Sequence, residues 1–137
     1  MTQTITRGIK SLLEEANKDI ETMSVAEVKA AVERGEAILV DIRDPRELER
    51  EGRIPGSFSC PRGMLEFWID PESPYAKPIF QEDKTFIFHC ASGWRSALAA
   101  KTAQDMGLKP VAHLGGGFKA WRDSGEAVED VGPKAKS

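Results

Sequence analysis

Three short apolar runs constrain this chain more than anything else in it: "AILVDI" at 37–42, "KTFIFH" at 84–89 and "PVAHL" at 110–114. Their apolar residues run together instead of alternating with polar ones. That is the pattern of strands covered on both faces, as in a parallel sheet. Parallel neighbours need long crossovers, and segments of helical period lie between these runs. The chain therefore reads as an α/β domain, with helices on both faces of a mainly parallel sheet. Its 137 residues suffice for one hydrophobic core.

The helix signals are specific. Ile5, Ile9, Leu12, Leu13, Ala16 and Ile20 form an apolar stripe at helical period. Ser24 and Glu27 have the spacing of a capping box, and Met23 and Val28 that of a hydrophobic staple. They predict a helix from 25 to 34 that stops at Gly35. Asp44, Pro45 and Glu47 start a short helix that ends at Gly52. Pro55-Gly56 marks a turn, residues 57–60 a short strand, and 64–69 a helical turn or two. Residues 71–84, with three Pro and many charges, read as a surface loop. A helix is expected over 95–106, closed by Gly107. Gly115-Gly116-Gly117 leads into another that carries Phe118 and Trp121 and ends at Gly125. Residues 1–21 form an N-terminal helical extension, 22–127 the domain, and 128–137 a polar tail expected to fray. The stripe of the extension suits either cover for the chain's own domain or a homodimer contact; the oligomeric state is left open.

A net charge of −3 gives no reason to expect nucleic acid or an anionic membrane as partner. No apolar run approaches the roughly 20 residues of a spanning helix. The first twenty residues lack the basic-then-apolar order of a secretion signal, so a cytoplasmic location is expected. In such a compartment the two cysteines, Cys60 and Cys90, are free thiols by default. There is no Cys-x-x-Cys, and His89 and His113 have no carboxylate at ligand spacing, so neither metal nor cofactor is expected.

The chemistry concentrates at "FHCASGWRSALAA", 88–100. Cys90 ends a strand, just before a short loop and a helix, which is where open α/β sheets bind ligands. Ala91, Ser92 and Gly93 leave the loop free to curl with its N–H groups inward as an anion-binding nest. The helix dipole and Arg95 act in the same sense, and all three stabilise a thiolate. A lone strand-end Cys more often simply packs; the Gly-containing loop, the Arg five positions on and the helix aimed at the sulfur reverse that balance.

The chain resembles a single-domain rhodanese. "VDIRDPRELEREGRIPGS" (40–57) resembles the family's first signature, "FHCASGWRSALAA" its active-site loop and "LGGGFKAW" (114–121) its closing signature, in the family's order and spacing. Arg53 stands where a His is commoner and Leu48 where an aromatic is usual, neither of them at the thiol. The resemblance implies a rhodanese-like α/β fold with a five-stranded, mainly parallel sheet. It implies a sulfurtransferase that moves sulfur from thiosulfate or a similar persulfide-type donor to cyanide or a thiol, through a persulfide on Cys90. Arg95 would hold the anionic donor, and the N–H groups of Ala91, Ser92, Gly93, Trp94 and Ser96 would cradle the persulfide. Asp41 and Arg43 would form an internal brace, and Trp121 would pack the core. Related phosphatases and arsenate reductases carry five residues between Cys and Arg; the four here match the sulfur-transferring branch. A persulfide carrier or regulatory module acting with a partner protein would have the same sequence features.

Six other residues divide between function and packing. Cys60 reads as a packing thiol before a resolving one. His89, adjacent to the nucleophile, should face the other side of the sheet. Phe67 and Trp68 suit either a wall of the mouth or packing under the 71–84 loop. Arg53 and Arg62 read as solvated charges before anion guides.

Overall fold

In the computed structural model, which describes residues 2–131, Ser24 caps its helix as the spacing predicts. Its hydroxyl accepts from the Glu27 amide at 3.2 Å, and the Glu27 carboxylate accepts from the Ser24 amide at 2.8 Å. Asp44 and Glu47 build the same reciprocal cap, with Pro45 in the first turn. The described residues form helices α1 (Ile9–Asp19), α2 (Val25–Glu33), α3 (Pro45–Glu51), α4 (Leu65–Ile69), α5 (Trp94–Asp105) and α6 (Gly117–Asp123). The strands are β1 (Glu21–Met23), β2 (Ala37–Asp41), β3 (Phe58–Ser59), β4 (Thr85–His89) and β5 (Val111–Leu114).

Every strand pair is parallel, in the order β1-β5-β4-β2-β3, so β4 is central. Alternation along the strands divides the core. Val40, Phe86, Phe88 and Val111 face α1, α4 and α5, while Leu39, Ile87, Ala112 and Leu114 face α2 and α6. The three apolar runs are thus buried on both sides, as continuous apolar strands must be.

Three expectations need correction. The boundary expected between a helical extension, 1–21, and the domain from 22 falls inside edge strand β1. The strand is short and two of its residues are exposed, so it lacks an apolar run to announce it. It pairs with β5, and Leu13, Ala16 and Ile20 of the N-terminal stripe join the core beside α5. Residues 71–84 are not only surface loop. A 3-10 turn, Pro78–Gln81, buries Phe80 against Phe58 and Phe86; burying one such ring is worth roughly 1.5–3 kcal/mol. The fraying expected from 128 does not begin there, because Arg53 and Glu129 exchange backbone hydrogen bonds at 2.9 Å and an ion pair at 2.7 Å. The remainder of that tail, 132–137, lies outside the described residues.

Candidate active site

The site begins with how α6 handles the chain after β4. The amide of Phe118 donates to the Cys90 carbonyl at 2.8 Å, and that of Lys119 to the Ala91 carbonyl at 3.0 Å. With those carbonyls drawn towards α6, the following amides turn the opposite way. Gly93 takes a left-handed conformation, φ +110°, and starts α5. Its amide donates to Cys90 Sγ at 3.2 Å, and the Ser96 amide donates to the same sulfur at 3.3 Å. Both are first-turn amides that a helix leaves without internal partners. The sulfur therefore occupies the anion position at the N-terminus of a 12-residue helix.

Cys90 is only 1% exposed, so its sulfur lies at the bottom of the loop. Ala91 is half-buried, Ser92 exposed, and Gly93 and Ser96 buried. Trp94 opens α5 with 62% of its surface exposed.

Arg95 does not stand free. Its guanidinium makes a two-pronged pair with Glu47, at 2.9 Å for each bond, and it remains about half exposed. One oxygen of Glu47 also accepts from the Asp44 amide at 2.9 Å, so the residue that caps α3 also holds Arg95. The Arg95 fork pulls the Glu47 carboxyl down to about 2, and the same pair raises Arg95 above its ordinary value. A carboxyl depressed in the folded state stabilises the fold above its unfolded value and loses that contribution as pH falls through the folded value. The melting temperature should therefore drop as pH is lowered from about 5 to about 2. In Glu47→Gln, which can keep the helix cap, this acid slope should be shallower. An unchanged slope in a pH series of thermal melts would show that the pair is not maintained in solution.

The remaining candidates separate clearly. Asp41 and Arg43 are both fully buried and bonded at 2.8 and 3.0 Å. Arg43 also donates to the Gly52 carbonyl at 2.9 Å and lies 4.2 Å over the Phe118 ring. His89 faces this brace, with Nε2 3.5 Å from Asp41, and burial lowers its pKa. Cys60 is fully buried, and burial raises its thiol to about 12. Ser59 and His89 both pair with Asp41, so β2 lies between the two cysteines. Two strand spacings put them about 10 Å apart, beyond disulfide reach. Trp68 packs edge-on against Phe58 with Lys77 over its ring, whereas Phe67 is exposed against Tyr75. Arg62 pairs with Glu66, and Arg53 with Glu129. Trp121 packs in the core, as expected, and donates to the Ala127 carbonyl at 2.8 Å.

Sequence reasoning missed two partnerships. Glu47 was visible as a cap and within the first signature, but nothing local tied it to Arg95, 48 positions away. His113 was visible only as a strand residue. In the fold its Nδ1 lies 3.0 Å from Ser96 Oγ and its Nε2 lies 3.1 Å from Thr22 Oγ1.

A parallel α/β sheet with a cysteine cupped by amides at the end of its central strand defines a class that comparison with known proteins makes specific. Residues 24–124 match the rhodanese-like domain family. The chain is 70% identical to a protein of unknown function from Rhodopseudomonas palustris CGA009, a possible tyrosine phosphatase; the structures superpose with a TM-score of 0.90 over 94% of this chain and 99% of that one. The human single-domain sulfurtransferase is 26% identical, with a TM-score of 0.65 over 74% of this chain and 95% of its own. Mouse thiosulfate sulfurtransferase/rhodanese-like domain-containing protein 3 is 28% identical over 100 residues, 69% of this chain and 64% of the mouse protein's length. The chain belongs to the rhodanese-like domain family, and its relatives there include sulfurtransferases. None of its described helices is long and apolar enough to cross a membrane.

Proposed function

We propose that this protein is a thiosulfate-type sulfurtransferase with Cys90 as its nucleophile. The observation that carries the reading is the pair of amides, Gly93 and Ser96, at 3.2 and 3.3 Å from Sγ. Donors so placed favour a sulfur anion, whether thiolate or persulfide. The thiol first loses its proton to solvent. The Cys90 thiolate then attacks the outer sulfur of thiosulfate; the donor's S–S bond breaks and sulfite leaves with the electron pair. The enzyme carries Cys90–S–S⁻. Cyanide or a thiolate attacks the terminal sulfur, and Cys90 departs as thiolate, ready for another cycle. Arg95 sits beside the loop as the group that draws the anionic donor. Two free thiols suit a reducing compartment such as the cytoplasm.

Steady-state release of thiocyanate from thiosulfate and cyanide tests this. Parallel double-reciprocal lines are expected, because the two substrates never share the site. Absence of turnover would remove the thiosulfate assignment.

A second reading, a persulfide carrier served by a partner protein, is favoured by one observation. Glu47 occupies the Arg95 fork, leaving less charge for a small dianion. Faster sulfur uptake from a protein or low-molecular-weight persulfide than from thiosulfate would select it. The four-residue spacing from Cys90 to Arg95 speaks against a phosphatase, and hydrolysis of an aryl phosphate would reverse that judgement.

A further inference from the structure

Behind the Cys90 loop lies a line of polar side chains that the sulfur-transfer reading does not use. Ser96, fully buried, sits in the first turn of α5 and gives its amide to the sulfur. Its hydroxyl meets His113 Nδ1 at 3.0 Å, and His113 is 4% exposed. The other ring nitrogen meets Thr22 on β1 at 3.1 Å. β1 and β5 pair Thr22 with His113, and β4 and β5 pair Phe88 with His113, so the sheet itself fixes where the imidazole stands. A Cβ added at Gly93 would come within 4.0 Å of His113 Cε1, which places the ring against the loop as well. Burial lowers the His113 pKa, so the ring is held neutral, with one nitrogen donating and the other accepting.

We infer that His113 is a positioning residue for the reaction of Cys90: it clamps the Ser96 hydroxyl and thereby keeps the Ser96 amide aimed at the sulfur. Buried polar groups carry a desolvation cost, which is recovered only when every member of the network is paired. Here the network links the sheet edge to one of the two amides that face the sulfur. It rests on the reading of Cys90 as nucleophile, but not on thiosulfate as the donor.

The test is a double-mutant cycle on His113→Leu and Ser96→Ala in the full chain. Two rates are measured: alkylation of Cys90 by iodoacetamide, and sulfur uptake from thiosulfate, both followed by intact mass. Each single variant should slow both reactions about tenfold, the effect of loosening one hydrogen bond to a charged group. The double variant should be no slower than either single one, because both changes break the same contact. Melting temperatures identify any loss that comes from unfolding. Wild-type rates in Ser96→Ala, or additive losses in the double variant, overturn the inference. If wild-type protein alkylates at Cys90 but takes up no sulfur, the thiosulfate reading fails while the alkylation cycle still decides the role of His113. If Cys90 reacts with neither reagent, both fail together.

Discussion

Gly117→Ala should dismantle the Cys90 loop. Gly117 has φ +61°, and a Cβ there would lie 2.6 Å from the Cys90 carbonyl oxygen and 2.7 Å from the carbonyl carbon and oxygen of Ala91. No side chain can rotate away to relieve this, because all three atoms are backbone. The left-handed conformation alone costs an Ala roughly 1–2 kcal/mol. The clash adds to that, and the carbonyls it strikes are those that the Phe118 and Lys119 amides hold. Total destabilisation should exceed about 2 kcal/mol. Sulfur uptake should fall by at least about 100-fold, because displaced carbonyls release the amides that face the sulfur. Gly56→Ala is the control: φ is +82°, but its Cβ meets nothing within 4 Å. It should show the conformational cost and keep the reaction. If thermal melts and uptake rates make the two variants indistinguishable, the packing of α6 against the loop does not shape the site.

Asp41→Ala should also be strongly damaging, by a different route. It leaves the Arg43 guanidinium fully buried, with its main counter-charge gone and, among the described residues, Glu51 at 3.9 Å as the one other acid within ion-pair distance. Breaking one partner of a buried pair typically costs about 3–5 kcal/mol, a large share of the roughly 5–15 kcal/mol that holds a domain together. Asp41→Leu combined with Arg43→Met should recover much of this, since no charge is then stranded. The Gly52 carbonyl would lose its donor, so full recovery is not expected. Urea unfolding of the single and double variants measures both. A single-variant loss below about 1 kcal/mol would mean that the brace contributes little to stability.

The parts of this molecule legible in the sequence were those that local chemistry dictates. The capping boxes at Ser24 and Asp44 need only residues three apart, and both form. β2, β4 and β5 announced themselves because strands buried on both faces must be apolar throughout. The cup was legible for a related reason: a strand end, a small-residue loop and a helix start are contiguous, and the Gly93 and Ser96 amides lie within it. β1 was not legible, because an exposed edge strand of three residues carries no periodic signal. Phe80 was hidden by the charged, Pro-rich residues around it, although its ring stacks on Phe86. Glu47 with Arg95, and Thr22 with His113, are meetings across the fold that no local spacing encodes. For the same reason the charge on Arg95 was expected to be available, whereas the folded chain sets a carboxylate against it.

The measurement that tests the central claim most directly is the intact mass of the protein after incubation with thiosulfate, followed by peptide mapping. The account predicts the added mass of one sulfur atom, located on Cys90, removed by cyanide and lost in Cys90→Ser while Cys60 remains unmodified. No added sulfur, or sulfur that persists in Cys90→Ser, would contradict it.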